Sequence, residues 1–107
     1  MPKRIQFLDD PKNVIRVDPV SLLVTKAELV EFTHRVSSDK PVVIKFENFP
    51  FVGLAQKINL EKNTNQQFSF RGDVDTGDRF EFEGALLHQR MSVVGDITII
   101  EGGGGDD

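Results

Sequence analysis

Chemistry in this 107-residue chain must come from 17 carboxylates, 13 lysines and arginines and two histidines, for there is no cysteine. Without thiols there are no disulfides, thiolate nucleophiles, zinc–thiolate sites or iron–sulfur clusters. His34 and His88 have no serine or carboxylate at a spacing that marks a catalytic set, so both read as structural or surface residues. Glu81 and Glu83 alternate and would share one face of a strand. A carboxylate pair of that kind can do acid–base work, and with His88 and Arg90 it would furnish the mouth of a small ligand-binding or catalytic barrel. Asp73, Asp75 and Asp78 offer oxygens to a calcium ion, but glycine falls fifth from Asp73 instead of sixth and no glutamate stands twelfth. Aspartate and glycine at a turn are explained by backbone preference alone. Arg71-Gly72-Asp73 spells an adhesion tripeptide, too short to carry a function by itself. Gly102–Gly105 has no helix after it to cradle a phosphate. No catalytic, cofactor-binding or metal-binding set is nominated.

A second chemistry is stacking. Phe68, Phe70, Phe80 and Phe82 on adjacent strands would make a platform for single-stranded nucleic acid, with Lys57, Lys62, Arg71 and Arg79 beside it and an acidic tail behind. The residues between the rings argue the other way. Ser69, Arg71, Glu81 and Glu83 would occupy the core if the rings faced water, and unpaired buried charge is costly. The rings therefore belong inside. Duplex DNA is disfavoured, because the net charge is −4 and the basic residues are scattered among acids.

The elements that must hold these residues are mainly β. Phe68–Phe70 and Phe80–Phe82 read as a hairpin. Its register sets Phe70 opposite Phe82, Arg71 opposite Glu81 and Val74 opposite Asp78, around an Asp75-Thr76-Gly77 loop with glycine in the left-handed position. Before it, Arg4–Leu8 and Asn13–Val17 are short strand candidates. Thr25 and Glu28 form a capping box, and Leu29, Phe32, Thr33 and Val36 recur at helical spacing, predicting one α-helix over about 26–37 with His34 in its last turn. Val42, Ile44 and Phe46 line one face of a strand whose other face carries Lys45 and Glu47. Val52, Leu54, Ile58 and Leu60 alternate along a longer strand, joined through Asn63–Asn65 in a hairpin to Gln67–Val74. Arg79–Leu87 and Val93–Ile100 follow, with a bulge at Gly95-Asp96. The expectation is a single-domain antiparallel barrel or sandwich of six or seven strands with one helix, spanning 1–100, and a disordered Gly/Asp tail over 101–107.

Such a domain, lacking a recognisable catalytic set, reads as a non-enzymatic interaction or assembly protein that contacts copies of itself or a protein partner through strand edges and loops. The Phe49-Pro50-Phe51 corner is the nominated contact. The alternatives are the single-strand binder and the small ligand-binding or catalytic barrel described above. No apolar run approaches the roughly 20 residues that span a bilayer, and the thiol-free composition fits the cytoplasm.

Overall fold

A computed structural model describes residues 2–12, 14–53 and 56–102. Among them are nine strands and no helix. In chain order they are β1 (Lys3–Leu8), β2 (Arg16–Asp18), β3 (Ser21–Thr25), β4 (Val30–Arg35), β5 (Val42–Phe46), β6 (Lys57–Leu60), β7 (Asn65–Phe68), β8 (Arg79–Leu86) and β9 (Ser92–Ile100). They form two sheets in the orders β2-β1-β4-β7 and β3-β9-β8-β5-β6. The mainly β reading holds. The six or seven strands, the helix and the purely antiparallel pairing do not, since β1 runs parallel to β4 and β3 parallel to β9. The sheets stack as a sandwich and close no barrel.

Period-two patterning drives most strands. Ile5 and Phe7, Val42, Ile44 and Phe46, Ile58 and Leu60, Phe80 and Phe82, and Ile97 and Ile99 all point into one shared core. Phe32 sits at its middle, with its ring centroid 6.0–6.5 Å from those of Phe7, Phe51, Phe68, Phe82 and Phe46. Most of these pairs meet edge to face, the arrangement favoured by the ring quadrupole.

The predicted helix over 26–37 is instead a turn followed by β4. Two periods coexist in this stretch: Leu29, Phe32, Thr33 and Val36 fit a helix, while Val30, Phe32 and His34 fit a strand. Branched and aromatic residues favour the strand, and pairing with β1 and β7 on either side settles it. The capping-box contact forms all the same. Glu28 Oε1 accepts from Thr25 N at 2.9 Å and Oγ1 at 3.1 Å, closing the β3–β4 turn rather than a helix end.

Phe68–Phe70 and Phe80–Phe82 make no hairpin. β7 pairs with β4 in one sheet, whereas β8 pairs with β5 and β9 in the other. Alternation along each strand fixes which way the rings point, and both inner faces of a sandwich point to the same core. Phe70, Phe80 and Phe82 are accordingly buried and Phe68 packs against the core, although the strands never touch edge to edge. Arg71 pairs with Asp73 at 3.4 Å, not with Glu81. The glycine expectation survives: Gly77 has φ +97°, and its turn docks on β9 through Gly77 N to Ile99 O at 2.8 Å. Likewise β6 and β7, joined by residues 61–64, enter different sheets. Val52 lies outside any strand, exposed, and Leu54 lies outside the described residues, as do Asn13 and the tail from 103.

No bulge interrupts Gly95-Asp96. The β8–β9 register runs without a break from Arg79↔Thr98 to Ala85↔Ser92. Gly95 is required for a different reason: a Cβ there would stand 2.5 Å from the Phe82 ring and 2.8 Å from Val20 O. Gly84 does the same beneath Phe7. Among the described residues no helix is long and apolar enough to cross a membrane.

Candidate functional site on the outer face of the five-stranded sheet

Side chains that alternate with the core residues of β5, β6, β8 and β9 build a broad charged face. The ladder registers set them in rows. Val94, Glu83, Lys45 and Lys57 lie across one row, and Ser92, Ala85, Val43 and Asn59 across the next. Two open grooves meet at Lys45. One, of about 530 Å3, runs past Gln56, Lys57 and Asn59. The other, of about 490 Å3, runs past Glu47, Glu81, Glu83 and Val94. The face is thus basic on its β6 side and acidic on its β8 side.

Some of these charges are already engaged. The Arg79 guanidinium bridges Glu81 and Asp96, each at 3.0 Å, and Ser21 Oγ donates to the same aspartate at 3.2 Å. The hydrogen bond to Asp96 is the main reason the Arg79 pKa is raised above its ordinary value. Glu83 accepts from Ser92 Oγ at 2.7 Å. The side chains of Lys45, Lys57 and Glu47 take part in no hydrogen bond or ion pair among the described residues. Lys45 and Lys57 nevertheless stand directly opposite each other, an unfavourable cross-strand pairing, while Glu83 stands opposite Lys45 on its other side without closing an ion pair. Val94 is 66% exposed beside them, the most exposed of the large apolar residues described.

The nominated residues are dispersed. Lys62 donates to Ser37 O and Asp39, both at 3.0 Å, and Arg71 is held by Asp73 and Asn48. Of the four cations proposed for strand binding, Lys57 alone lacks such a partner among the described residues. The rings of Phe49 and Phe51, with Pro50 between them, are buried. Phe49 and Phe51 pack edge to face at 5.5 Å, and Phe51 bridges to Phe70. The corner therefore belongs to the core. Glu81 and Glu83 share a groove, whereas His88 and Arg90 sit exposed in the β8–β9 turn, His88 at φ +64°. Arg71-Gly72-Asp73 forms a turn whose two charges face each other. Asp78 spends a carboxylate oxygen on Asp75 N at 2.9 Å, and no three metal-ligating side chains converge among the described residues.

His34, expected at a helix end, is fully buried in β4. Val36 N donates to its Nδ1 at 3.2 Å, so Nε2 carries the proton and donates to Lys40 O at 2.8 Å. Both nitrogens are used to hold the strap from 36 to 40, which leaves none for catalysis.

The sequence does not nominate Lys45, Glu47 or Val94 as site residues. The alternation of β5 marks Lys45 and Glu47 as outward, but their neighbours across β6 and β8 follow only from the tertiary register. In sequence comparison no protein-family model matches this chain, and no curated protein matches it.

Proposed function

We propose that this chain is a non-enzymatic interaction or assembly module that contacts copies of itself or a protein partner. The observation that carries the reading is the outer face of the five-stranded sheet: broad, open and charged in two opposed zones, on a rigid aromatic core. Enzymes concentrate titratable groups in concave, water-excluding sites, whereas here the buried ones, Glu31, His34 and Asp96, are tied up in structural hydrogen bonds. Short edge strands and loops supply further contact surface. A cytoplasmic setting belongs to the same reading, on the thiol-free composition.

The ligand-binding or catalytic alternative draws on one specific feature, the shared groove of Glu81 and Glu83. Its openness and the engagement of both carboxylates weigh against it. Absolute mass in solution by light scattering, at low and moderate salt, tests the main reading. A defined oligomer supports self-association; a monomer removes that branch and leaves capture of a different protein.

A further inference from the structure

The two charge zones of the outer face are arranged for a particular occupant. Across the row Val94–Glu83–Lys45–Lys57, the boundary between acid and base falls midway between β8 and β5. A two-fold axis laid along the strands at that boundary exchanges β5 with β8 and β6 with β9. It brings Lys45 of each copy over Glu83 of the other, twice, and lays each Lys57 stem on the exposed Val94. In the next row it sets half-buried Val43 on half-buried Ala85. The same patch then serves both partners, as an isologous interface requires.

We infer that this face docks against the same face of a second copy of the chain, about that axis. The inference rests on the assembly reading above and specifies its surface and partner. Two features support it, and the buried area sets its strength. The complementarity arises from one operation acting on one face. Lys45, which lies between Glu83 and Lys57 without forming an ion pair, gains a second carboxylate neighbour on docking, and Lys57 gains an apolar one. The area is small: the axis overlays β9, β8, β5 and β6, strands of 4 to 9 residues, which at about 4.8 Å between strands and about 3.4 Å per residue give on the order of 400 Å2 of face per copy. Two such faces bury about 800 Å2, below the range of stable interfaces and fit only for a weak, transient contact. The dimer is accordingly weak, concentration-dependent and salt-sensitive. The same axis sets Glu47 of each copy over Glu81 of the other, also twice, with Arg79 on Glu81 offsetting part of the repulsion.

Charge exchange tests the arrangement, with sedimentation equilibrium as the readout and circular dichroism as the check on folding. Lys45→Glu and Glu83→Lys, each alone, place two like-charge pairs in the interface and lower the association constant about tenfold or more. Mixing the two variants restores association, because each supplies the charge that the other has lost, and combining both exchanges in one chain restores it too. Glu47→Gln strengthens association. An oligomer whose mass ignores both single exchanges overturns the inference while leaving self-association standing on another surface. A chain monomeric at every concentration overturns the inference and the self-association branch together. Lost association that mixing fails to restore also overturns it.

Discussion

Replacing Gly84 with alanine tests whether the two sheets are locked together through one ring-on-glycine contact. The new Cβ would lie 2.5 Å from Phe7 Cε1 and 3.0 Å from Cζ, against the roughly 3.5–4.0 Å of an ordinary carbon contact. Phe7 must therefore retreat by about 1 Å. It is fully buried, with the Phe32 ring at 6.5 Å and the Phe82 ring at 6.4 Å, so it has nowhere open to go. Overpacking of this kind costs about 1–3 kcal/mol. Stiffening the unfolded chain returns about 0.4–1 kcal/mol. The net expectation is a loss of about 1–2 kcal/mol, or roughly 4–16 °C in Tm for a domain of this size. Gly72→Ala is the control, because nothing lies within 4 Å of its Cβ position, and it should be neutral or slightly stabilising. Urea denaturation of Gly84→Ala, Phe7→Leu and the double variant completes the cycle. The smaller side chain at 7 should relieve the clash, with a coupling of about 1 kcal/mol. Full stability of Gly84→Ala, or strict additivity in the cycle, would refute the packing argument.

Three further outcomes are expected. Thr33 Oγ1 is buried and has no hydrogen-bond partner among the described residues, so Thr33→Val should leave stability unchanged or raise it by about 1 kcal/mol in the same urea titration; a clear loss would point to a hidden partner. His34→Ala orphans Val36 N and Lys40 O and opens a cavity. About 3 kcal/mol should be lost, and the Val36 amide should exchange faster with solvent; an unchanged Val36 amide would contradict the strap assignment. Hydrogen bonds lower the pKa values of three carboxyls: Glu31 mainly from Arg4, Glu28 mainly from the Thr25 amide, and Asp9 mainly from the Ser37 hydroxyl. A depressed folded-state pKa stabilises above the unfolded value. That contribution should be intact at neutral pH and fade as pH falls below about 4.5 for the glutamates and about 3.8 for Asp9. Glu31→Gln should flatten part of this acid limb in thermal melts, and an unaltered limb would reject its role.

What the chain revealed of itself depended on range. The inward rings of Phe70, Phe80 and Phe82, the glycine at 77, and strands β1, β5, β8 and β9 were legible because each rests on alternation or turn chemistry within a few residues. The helix failed where two periods fitted one stretch, and only β1 and β7, far away in sequence, decide between them. The hairpin failed for a related reason. Alternation shows which face is apolar but not which strand lies alongside, so a sandwich and a hairpin make the same pattern. β3 went unread because Ser21–Thr25 is short and merges with the turn signal of Thr25 and Glu28. Of the outer face, the outward direction of Lys45, Glu47, Glu81 and Glu83 was legible. Their rows were not, since Lys45 meets Lys57 and Glu83 only through pairings set by the whole sheet.

The place of β9 in its sheet has a consequence for the chain as it emerges during synthesis. The last of the nine strands to be made is not an edge. It fills the slot between β3 and β8, and its partner β3 is drawn from the first quarter of the sequence. Until Ile100 has left the ribosome, β3 and β8 cannot be bridged, and the slot between them, two strand spacings or about 10 Å across, is lined with unpaired backbone donors and acceptors. β9 can pair with β8 through a short turn, but its pairing with β3 closes late, in the slow regime expected of long-range pairing. A nascent chain waiting with that slot open is a ready acceptor for the ninth strand of a neighbouring chain, which makes exchange of β9 between molecules the misassembly this topology most invites.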